Sequence, residues 1–339
     1  MIKDAINSLI EGRDLAEQDM IGAMSDIMEG QATDAQIASF LTALRIKGET
    51  VEEITGAARV MREKVSKINA PEYTVDTCGT GGDMSHTFNI STTTALVVAA
   101  CGLPVAKHGN RSVSSSCGSA DVLEALDIKI ELEPSKVEEC LKITGFGFMF
   151  APLFHPAMKY AIGPRKELGI RTVFNILGPL TNPAGAQRQV LGVFSDKLTE
   201  PMAEVLGNLG TKHAFVVHGE DGLDEMTTTD KTRVSELKDG KVNTYSLSPE
   251  ELGLIKANKE DLLGGNAEEN AKITIGILEG EKGPRRDIVL LNAAAALVAG
   301  DKARDLTEGL KKAAEAIDSG ATREKLEKVK NVSTELYRS

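Results

Sequence analysis

Positive charge is the first shortage: 39 Lys and Arg stand against 50 Asp and Glu, a formal net charge of −11. With a pI near 5.1, the chain lacks the basic stripe that a nucleic-acid backbone requires, so no nucleic-acid partner is expected. Any phosphate-bearing ligand must find its positive potential locally. Long apolar runs are also missing. No stretch of 18 apolar residues occurs, and the opening MIKDAINSLIEG carries acids where a signal peptide needs an apolar centre. A soluble, cytoplasmic protein with no membrane partner is the expectation. Cysteine is sparse as well. Cys78, Cys101, Cys117 and Cys140 lie far apart, with no C-x-x-C pair and no histidine at finger spacing, which argues against a zinc site or a disulfide frame and for free, buried thiols. What is present is bulk: 339 residues, 41% of them apolar, suffice for one large core or two modest ones.

The first 70 residues read as helices. Thr33-Asp-Ala-Gln36 and Thr50-Val-Glu-Glu53 are capping boxes, and Ile37, Phe40, Leu41 and Leu44 share one face of the helix that follows the first. Pro71 breaks the pattern. Beyond it short extended apolar runs alternate with helical ones, the signature of an α/β sheet. Strands are predicted at Tyr73–Asp76, Pro104–Lys107, Ile128–Leu132, Phe146–Phe150, Val190–Phe194 and Ala214–His218. A hairpin is predicted from Thr232–Leu237 and Val242–Leu247 around Asp239-Gly240, and helices at Asn292–Ala299 and Leu306–Ile317. Between Gly163 and Gly185 the pairs Gly163-Pro164, Gly178-Pro179 and Asn182-Pro183 interrupt the alternation. This stretch reads as a crossing segment that returns to the helical unit. The expected organisation is a helical domain of residues 1–70 with part of 163–185, and an α/β domain of 71–162 and 186–339, with a cleft and hinge between them.

Three loops could carry chemistry. The first is DTCGTGGD, Asp76 to Asp83, whose glycines allow close backbone approach and can aim several N–H groups at an anion. It is neither a Walker loop nor G-x-G-x-x-G, and alone it is equally a tight turn. Thr87-Phe-Asn-Ile-Ser-Thr-Thr-Thr94 follows, gathering hydroxyls before an expected helix Ala95–Ala100. The second loop, Lys107 to Ser119, combines Lys107, Arg111, the bend-permitting Gly109 and several serines. Strand carboxyl ends in α/β sheets share one rim, so two such loops point to one polyphosphorylated ligand. The third is Asp224-Glu225, at the end of another strand, where Mg²⁺ could bridge carboxylates to phosphates; Asp221 competes for that role. His213 and His218 flank an apolar strand and read as structural, whereas His86 and His155 have no partner at ligand spacing. Arg165, after Gly163-Pro164, is either a surface ion pair or a clamp for a substrate carboxylate.

These residues resemble the anthranilate phosphoribosyltransferase family over nearly the whole chain. The resemblance rests on the helical start, DTCGTGGD, TFNIST, the KHGNRSVSS and GSADVLEAL block, GPRKELGIRTVFNILGPLTNPA and the Asp-Glu pair. Asp127 departs from the family's frequent glycine after LEAL, which touches local backbone geometry, not chemistry. The resemblance implies a fold like that of class II nucleoside phosphorylases: a small helical domain plus a large α/β domain with a mixed central sheet, homodimeric through the helical part. It implies transfer of phosphoribosyl from phosphoribosyl pyrophosphate to anthranilate, the second step of tryptophan biosynthesis from chorismate, with Mg²⁺, two ions by expectation.

Residue by residue, Gly79, Gly82, Asp83, Thr87, Asn89, Ile90, Ser91 and Thr92 match the family's phosphoribosyl pyrophosphate contacts. So do Lys107, His108, Gly109, Asn110, Arg111, Ser112, Val113, Ser114, Ser115 and Ser119. Ser91, Asp224 and Glu225 match its metal ligands, and Gly79, Asn110 and Arg165 its anthranilate contacts, with His108 and Met158 near that pocket. No residue is singled out as a general acid or base, because an aromatic amine is already a free base at neutral pH. Two other readings stand beside this one: a pyrimidine nucleoside phosphorylase, and a family-like nucleic-acid binder or regulator without catalysis.

Overall fold

The structure, a computed structural model, describes residues 1–112 and 116–339; Val113, Ser114 and Ser115 lie outside the described residues. Four helices open the chain: α1 (Ile2–Ile10), α2 (Glu17–Met28), α3 (Asp34–Lys47) and α4 (Val51–Lys64). Both predicted capping boxes form, with Thr33 and Thr50 accepting from the N–H groups of Gln36 and Glu53. Glu53 does more than cap. Its fully buried carboxylate also accepts from the Leu15 N–H at 2.9 Å and pairs with Lys47 at 3.0 Å, so one side chain ties three segments together. Around it Met20, Met24, Ile27, Ile37, Phe40, Leu41 and Leu44 are buried at helical spacing.

The chain continues as β1 (Val75–Gly79), α5 (Ile90–Ala100), β2 (Val105–Gly109), α6 (Ser119–Ala125), α7 (Pro134–Thr144), β3 (Phe146–Phe150), α8 (Ala151–Phe154), α9 (Lys159–Leu168) and α10 (Phe174–Leu177). It then forms β4 (Arg188–Gly192), α11 (Thr199–Asn208), β5 (His213–Gly219), β6 (Thr232–Lys238) and β7 (Lys241–Leu247). Four helices close it: α12 (Ala267–Leu278), α13 (Pro284–Ala299), α14 (Leu306–Asp318) and α15 (Ala321–Arg338). The seven strands make one mixed sheet in the order β3-β2-β1-β4-β5-β6-β7. The first five are parallel, and the β6–β7 hairpin adds antiparallel, turning at Asp239 and Gly240, both at positive φ.

Helices cover both faces. One core joins the sheet to α5, α6, α12, α13, α14 and α15, and a second joins its other face to α11 and the opening helices. Ala161, Val173, Phe174, Ile176, Leu177 and Leu180 belong to that second core, so α9 and α10 lie against the helical unit. Order along the chain runs outward from β1 through β2 to β3, then resumes on β1's other side with β4 and β5. The carboxyl ends of β1 and β4 therefore flank the crevice where a parallel sheet of this kind binds ligands.

Two expectations fail. Ile128–Leu132 is not a strand. Ile128, Ile130 and Leu132 are buried in alternation, as in a strand, but the segment hydrogen-bonds outward, Lys129 N–H to the Ser333 hydroxyl at 3.1 Å, and covers the sheet instead of joining it. Alternate burial describes any extended segment pressed on a core; only backbone pairing makes it a strand. The helix expected from Ala95 begins at Ile90, because Ser91 and three buried threonines can sit in a helix whose neighbours pack around them. Strand limits also shift, most at β1, which runs through Gly79 and so includes the first glycine of DTCGTGGD. No disulfide forms among the described residues; Cys78, Cys117 and Cys140 are buried as expected, whereas Cys101 is half-buried, and no described helix is long and apolar enough to cross a membrane.

Candidate active site

The glycine loop leaves β1 at the crevice. Gly81, Gly82, Met84 and His86 all have positive φ, a tight succession that turns the loop back over the strand ends. Gly79 and Gly192 sit side by side in the β1–β4 register, and both are glycines for the same reason. A Cβ on Gly192 would lie 1.5 Å from the Asp224 carbonyl oxygen, and one on Gly79 would lie 2.4 Å from the Asp224 carboxylate. Two bare strand ends thus let the acidic loop lie across them. Asp224 in turn accepts from the Gly81 N–H at 2.7 Å, and Glu225 from the Ser91 N–H at 3.1 Å, at the first turn of α5.

Three of the predicted constellations therefore meet at one place: the glycine loop, the start of α5 and the acid pair. Lys107 lies beneath them. It is 2% exposed, and its ammonium donates to the Thr77 carbonyl and, at 3.2 Å, to the Ser91 hydroxyl. Burial holds its pKa down, and the carboxylates of Asp76, Glu225 and Asp224 pull it back up. Burial pushes Asp224 up to about 8, reinforced by the charge of Asp83, and drives Glu225 up as well, reinforced by Asp224. Carboxyls held this far above their ordinary range, with one lysine among them, ionise readily only beside a cation. The donor set is all oxygen, which suits Mg²⁺, an ion that takes one or two carboxylates and completes its shell with water and phosphate oxygens. Among the described residues no three His, Cys, Asp or Glu side chains form a closed cage. Asp221 is not available for this task. Its carboxylate accepts from the hydroxyls of Thr227, at 2.8 Å, and Thr229, and from the Leu223 N–H at 3.2 Å, and so braces the loop.

The remaining anion-site candidates spread along the same rim. Asn89, just ahead of α5, donates to the Cys117 carbonyl in the loop before α6 and accepts from Asn270 on α12 at 3.0 Å. Thr87 bridges to Leu263, Ile90 is core, and Thr92 is buried with a hydroxyl that finds no partner among the described residues. Asp83 is part-buried and accepts from the Ser85 N–H at 3.4 Å. Gly109 ends β2, where a Cβ would strike the Ser119 hydroxyl; that hydroxyl donates to the Asn110 carbonyl at 3.2 Å. Ser112 donates its N–H to Asp121 at 3.1 Å. Arg111 pairs with Asp121 and Glu124 on α6, which raises its pKa and leaves its charge shared.

Beside this rim opens a cavity of about 460 Å³, lined from the sheet by Gly79, His108, Gly109 and Asn110, and from the far wall by His155, Met158, Ile162, Arg165 and Phe174. Arg165 lies over the Phe174 ring at 4.9 Å; burial alone lowers its pKa, with no carboxylate against it among the described residues. A planar cation stacked on an aromatic and facing an apolar cavity is a natural receptor for a carboxylate. Sequence reasoning passed over His155. Its Nε2 lies 3.1 Å from His108 Nε2, and burial depresses both imidazoles, His108 to about 3 and His155 to about 4. Their pairing follows from the β2–β3 register, which sets His108 opposite Met149, a relation no local pattern reveals. His213 and His218 are structural, bonded to Glu236 and to the Val193 carbonyl.

Comparison with known proteins gives this fold a family. Residues 3–65 match the family described as "Glycosyl transferase family, helical bundle domain" and residues 72–323 its "a/b domain". An anthranilate phosphoribosyltransferase of Acetivibrio thermocellus is 61% identical over 96% of this chain and 95% of its own. The chain belongs to the anthranilate phosphoribosyltransferase family. The Thermus thermophilus member superposes with a TM-score of 0.93 at 46% identity, covering 98% of this chain and 99% of that one. The Saccharomyces cerevisiae member, solved in complex with PRPP and Mg, superposes with a TM-score of 0.90 at 29% identity over 98% of each chain. The same yeast protein has also been solved in complex with 4-fluoroanthranilate, with a TM-score of 0.88. Family membership carries with it the glycosyltransferase class and the two-part, mixed-sheet fold already described.

Proposed function

We propose that the protein transfers the phosphoribosyl group of phosphoribosyl pyrophosphate to the amine of anthranilate, releasing pyrophosphate, the second step of tryptophan biosynthesis from chorismate. The observation that carries this reading is the junction at Gly79: one side faces the glycine and acidic loops, the other the Arg165 cavity. A charged donor and a flat aromatic acceptor meet there. Phosphoribosyl pyrophosphate is assigned to the rim, from Gly79 through Thr92 and along the Lys107–Ser119 loop. Anthranilate is assigned to the cavity, its carboxylate on Arg165 and its ring between Met158, Asn110 and Gly79.

The Mg²⁺ ligands are assigned as Ser91, Asp224 and Glu225, with two ions in the working complex. Bound there, Mg²⁺ would offset the pyrophosphate charge that grows as the ribose C1–oxygen bond breaks. This chain's own residues do the rest. N–H groups of the glycine loop other than that of Gly81, which Asp224 takes, would receive the departing anion, and Lys107 supplies fixed charge from below through Ser91. Arg165 and Asn110 hold the amine in line with C1, where orientation replaces a search for the right collision. His108 and His155, held neutral by burial, line the acceptor pocket without adding a charge. A hinge around residues 163–185, closing the helical side on the rim, would keep water from the activated sugar. The protein is further proposed to act as a cytoplasmic homodimer joined through its helical part.

The test is direct. Mixing the protein with anthranilate, phosphoribosyl pyrophosphate and Mg²⁺ should quench anthranilate fluorescence, with pyrophosphate appearing in equal amount. No metal-dependent quenching would remove the reading.

A further inference from the structure

The acid pair sits on a loop, and loops do not by themselves hold carboxylates in a fixed aim. What fixes this one comes from behind the sheet. Asn292, on α13 and 1% exposed, turns its amide onto the backbone of Met226, the residue after Glu225. Its Oδ1 accepts from the Met226 N–H at 3.0 Å, and its Nδ2 donates to the Met226 carbonyl at 2.9 Å and to the Ile288 carbonyl at 2.9 Å. One side chain thus satisfies both backbone groups of a buried residue, as a neighbouring strand would, and anchors itself to its own helix with the spare hydrogen. The Met226 side chain is fully buried, so the same residue is gripped by its backbone and by the core. Asp221 braces the loop through Thr227 and Thr229, and the bare Gly192 lets it lie flat. Asn292 is the one of these that sits on a long helix, outside the loop and the strand ends.

We infer that Asn292 is a positioning residue for the Asp224–Glu225 pair, setting metal affinity without touching substrate or metal. The inference rests on the proposed metal role of that pair. Groups in this relation to a metal ligand typically change its affinity by about 10- to 100-fold when replaced. Losing the clamp leaves a buried N–H and C=O without partners and frees the two carboxylates to turn away from the rim.

Two variants test it. Asn292→Asp keeps the volume and an acceptor for the Met226 N–H but sets an oxygen against its carbonyl; Asn292→Ser removes the reach altogether. Mn²⁺ binding in the presence of phosphoribosyl pyrophosphate, read from the electron paramagnetic resonance of free Mn²⁺, should weaken about tenfold in both. The KM for anthranilate should stay as it is. Thr322→Val, which removes a buried hydrogen bond to the Leu278 carbonyl far from the rim, serves as the control for stability loss. In the wild-type protein the Met226 amide should exchange hydrogen as slowly as the sheet core, a reading that needs no variant. Unchanged Mn²⁺ affinity in the Asn292 variants, an equal loss in Thr322→Val, or fast exchange at Met226 would each overturn the clamp while leaving the acid pair's role intact. Absence of Mn²⁺ binding by the wild-type protein would overturn both.

Discussion

The two sides of the cleft are built on different principles. The rim side consists of strand ends, where backbone amides, two bare glycines and buried carboxylates lie within a few ångströms of one another, each held by a hydrogen bond. The far wall consists of short helices facing the rim across the cavity, where Arg165 rests on Phe174 and no carboxylate restrains it among the described residues. A rigid, polar side suits a ligand whose charge changes during reaction, because preorganised dipoles need no rearrangement at that moment. A looser, partly apolar side suits a flat ligand that must enter and leave. The difference predicts that damage to the rim costs turnover, whereas damage to the wall costs acceptor binding.

The largest effect should come from the rim. Asp224→Asn combined with Glu225→Gln should lower kcat by about a thousandfold, since the change removes charge compensation at the leaving group. A Mg²⁺ titration should lose its saturation; an unaltered titration would place the metal elsewhere. Arg165→Ala should act differently. Loss of a charge-assisted contact raises the KM for anthranilate roughly 10- to 100-fold, with the KM for phosphoribosyl pyrophosphate unchanged. Equal effects on the two constants would erase the distinction between the sides.

A third change probes the seam. His155 and His108 have folded pKa values of about 4 and about 3, below their ordinary 6.5. Below that ordinary value the unfolded chain therefore binds more protons than the folded one, and stability falls as pH drops from 6.5 toward 4. His155→Gln should flatten the slope of unfolding free energy in that window by about 1.4 kcal/mol per pH unit, measured by denaturant melts. An unchanged slope would show that the pair is not buried in solution.

Much of the rim could be read from the sequence because its signals are local. Glycines, hydroxyls and a lysine fall directly at strand ends, and a strand's end fixes which rim they share. The capping boxes of α3 and α4 were legible for the same reason, since a cap spans three residues. The wall was less so. His155, Phe174 and Met158 meet their partners only through sheet register and helix packing, and Asn292 meets Met226 across 66 residues. The false strand at Ile128–Leu132 has the same origin: its burial pattern is local and correct, but its pairing is a long-range fact.

The smallest effect concerns the rim's scaffold. Helix α6 starts at Ser119, the last residue of the second candidate loop, and just beyond its end Asp127 lies at φ 61°, a left-handed position that a residue with a Cβ occupies at a cost. Asp127 recovers little in exchange: its carboxylate is exposed, and its pair with Lys330 at 3.4 Å is a surface contact. Asp127→Gly should therefore stabilise the protein by about 0.5 to 1 kcal/mol, less the extra freedom glycine gives the unfolded chain, raising Tm by a degree or two. Because α6 begins at the rim, the same variant asks whether rim geometry depends on strain stored at the helix's other end. A higher Tm with unchanged kcat and unchanged KM values would confine that strain to the helix end; a shift in the KM for phosphoribosyl pyrophosphate would show that the loop feels it.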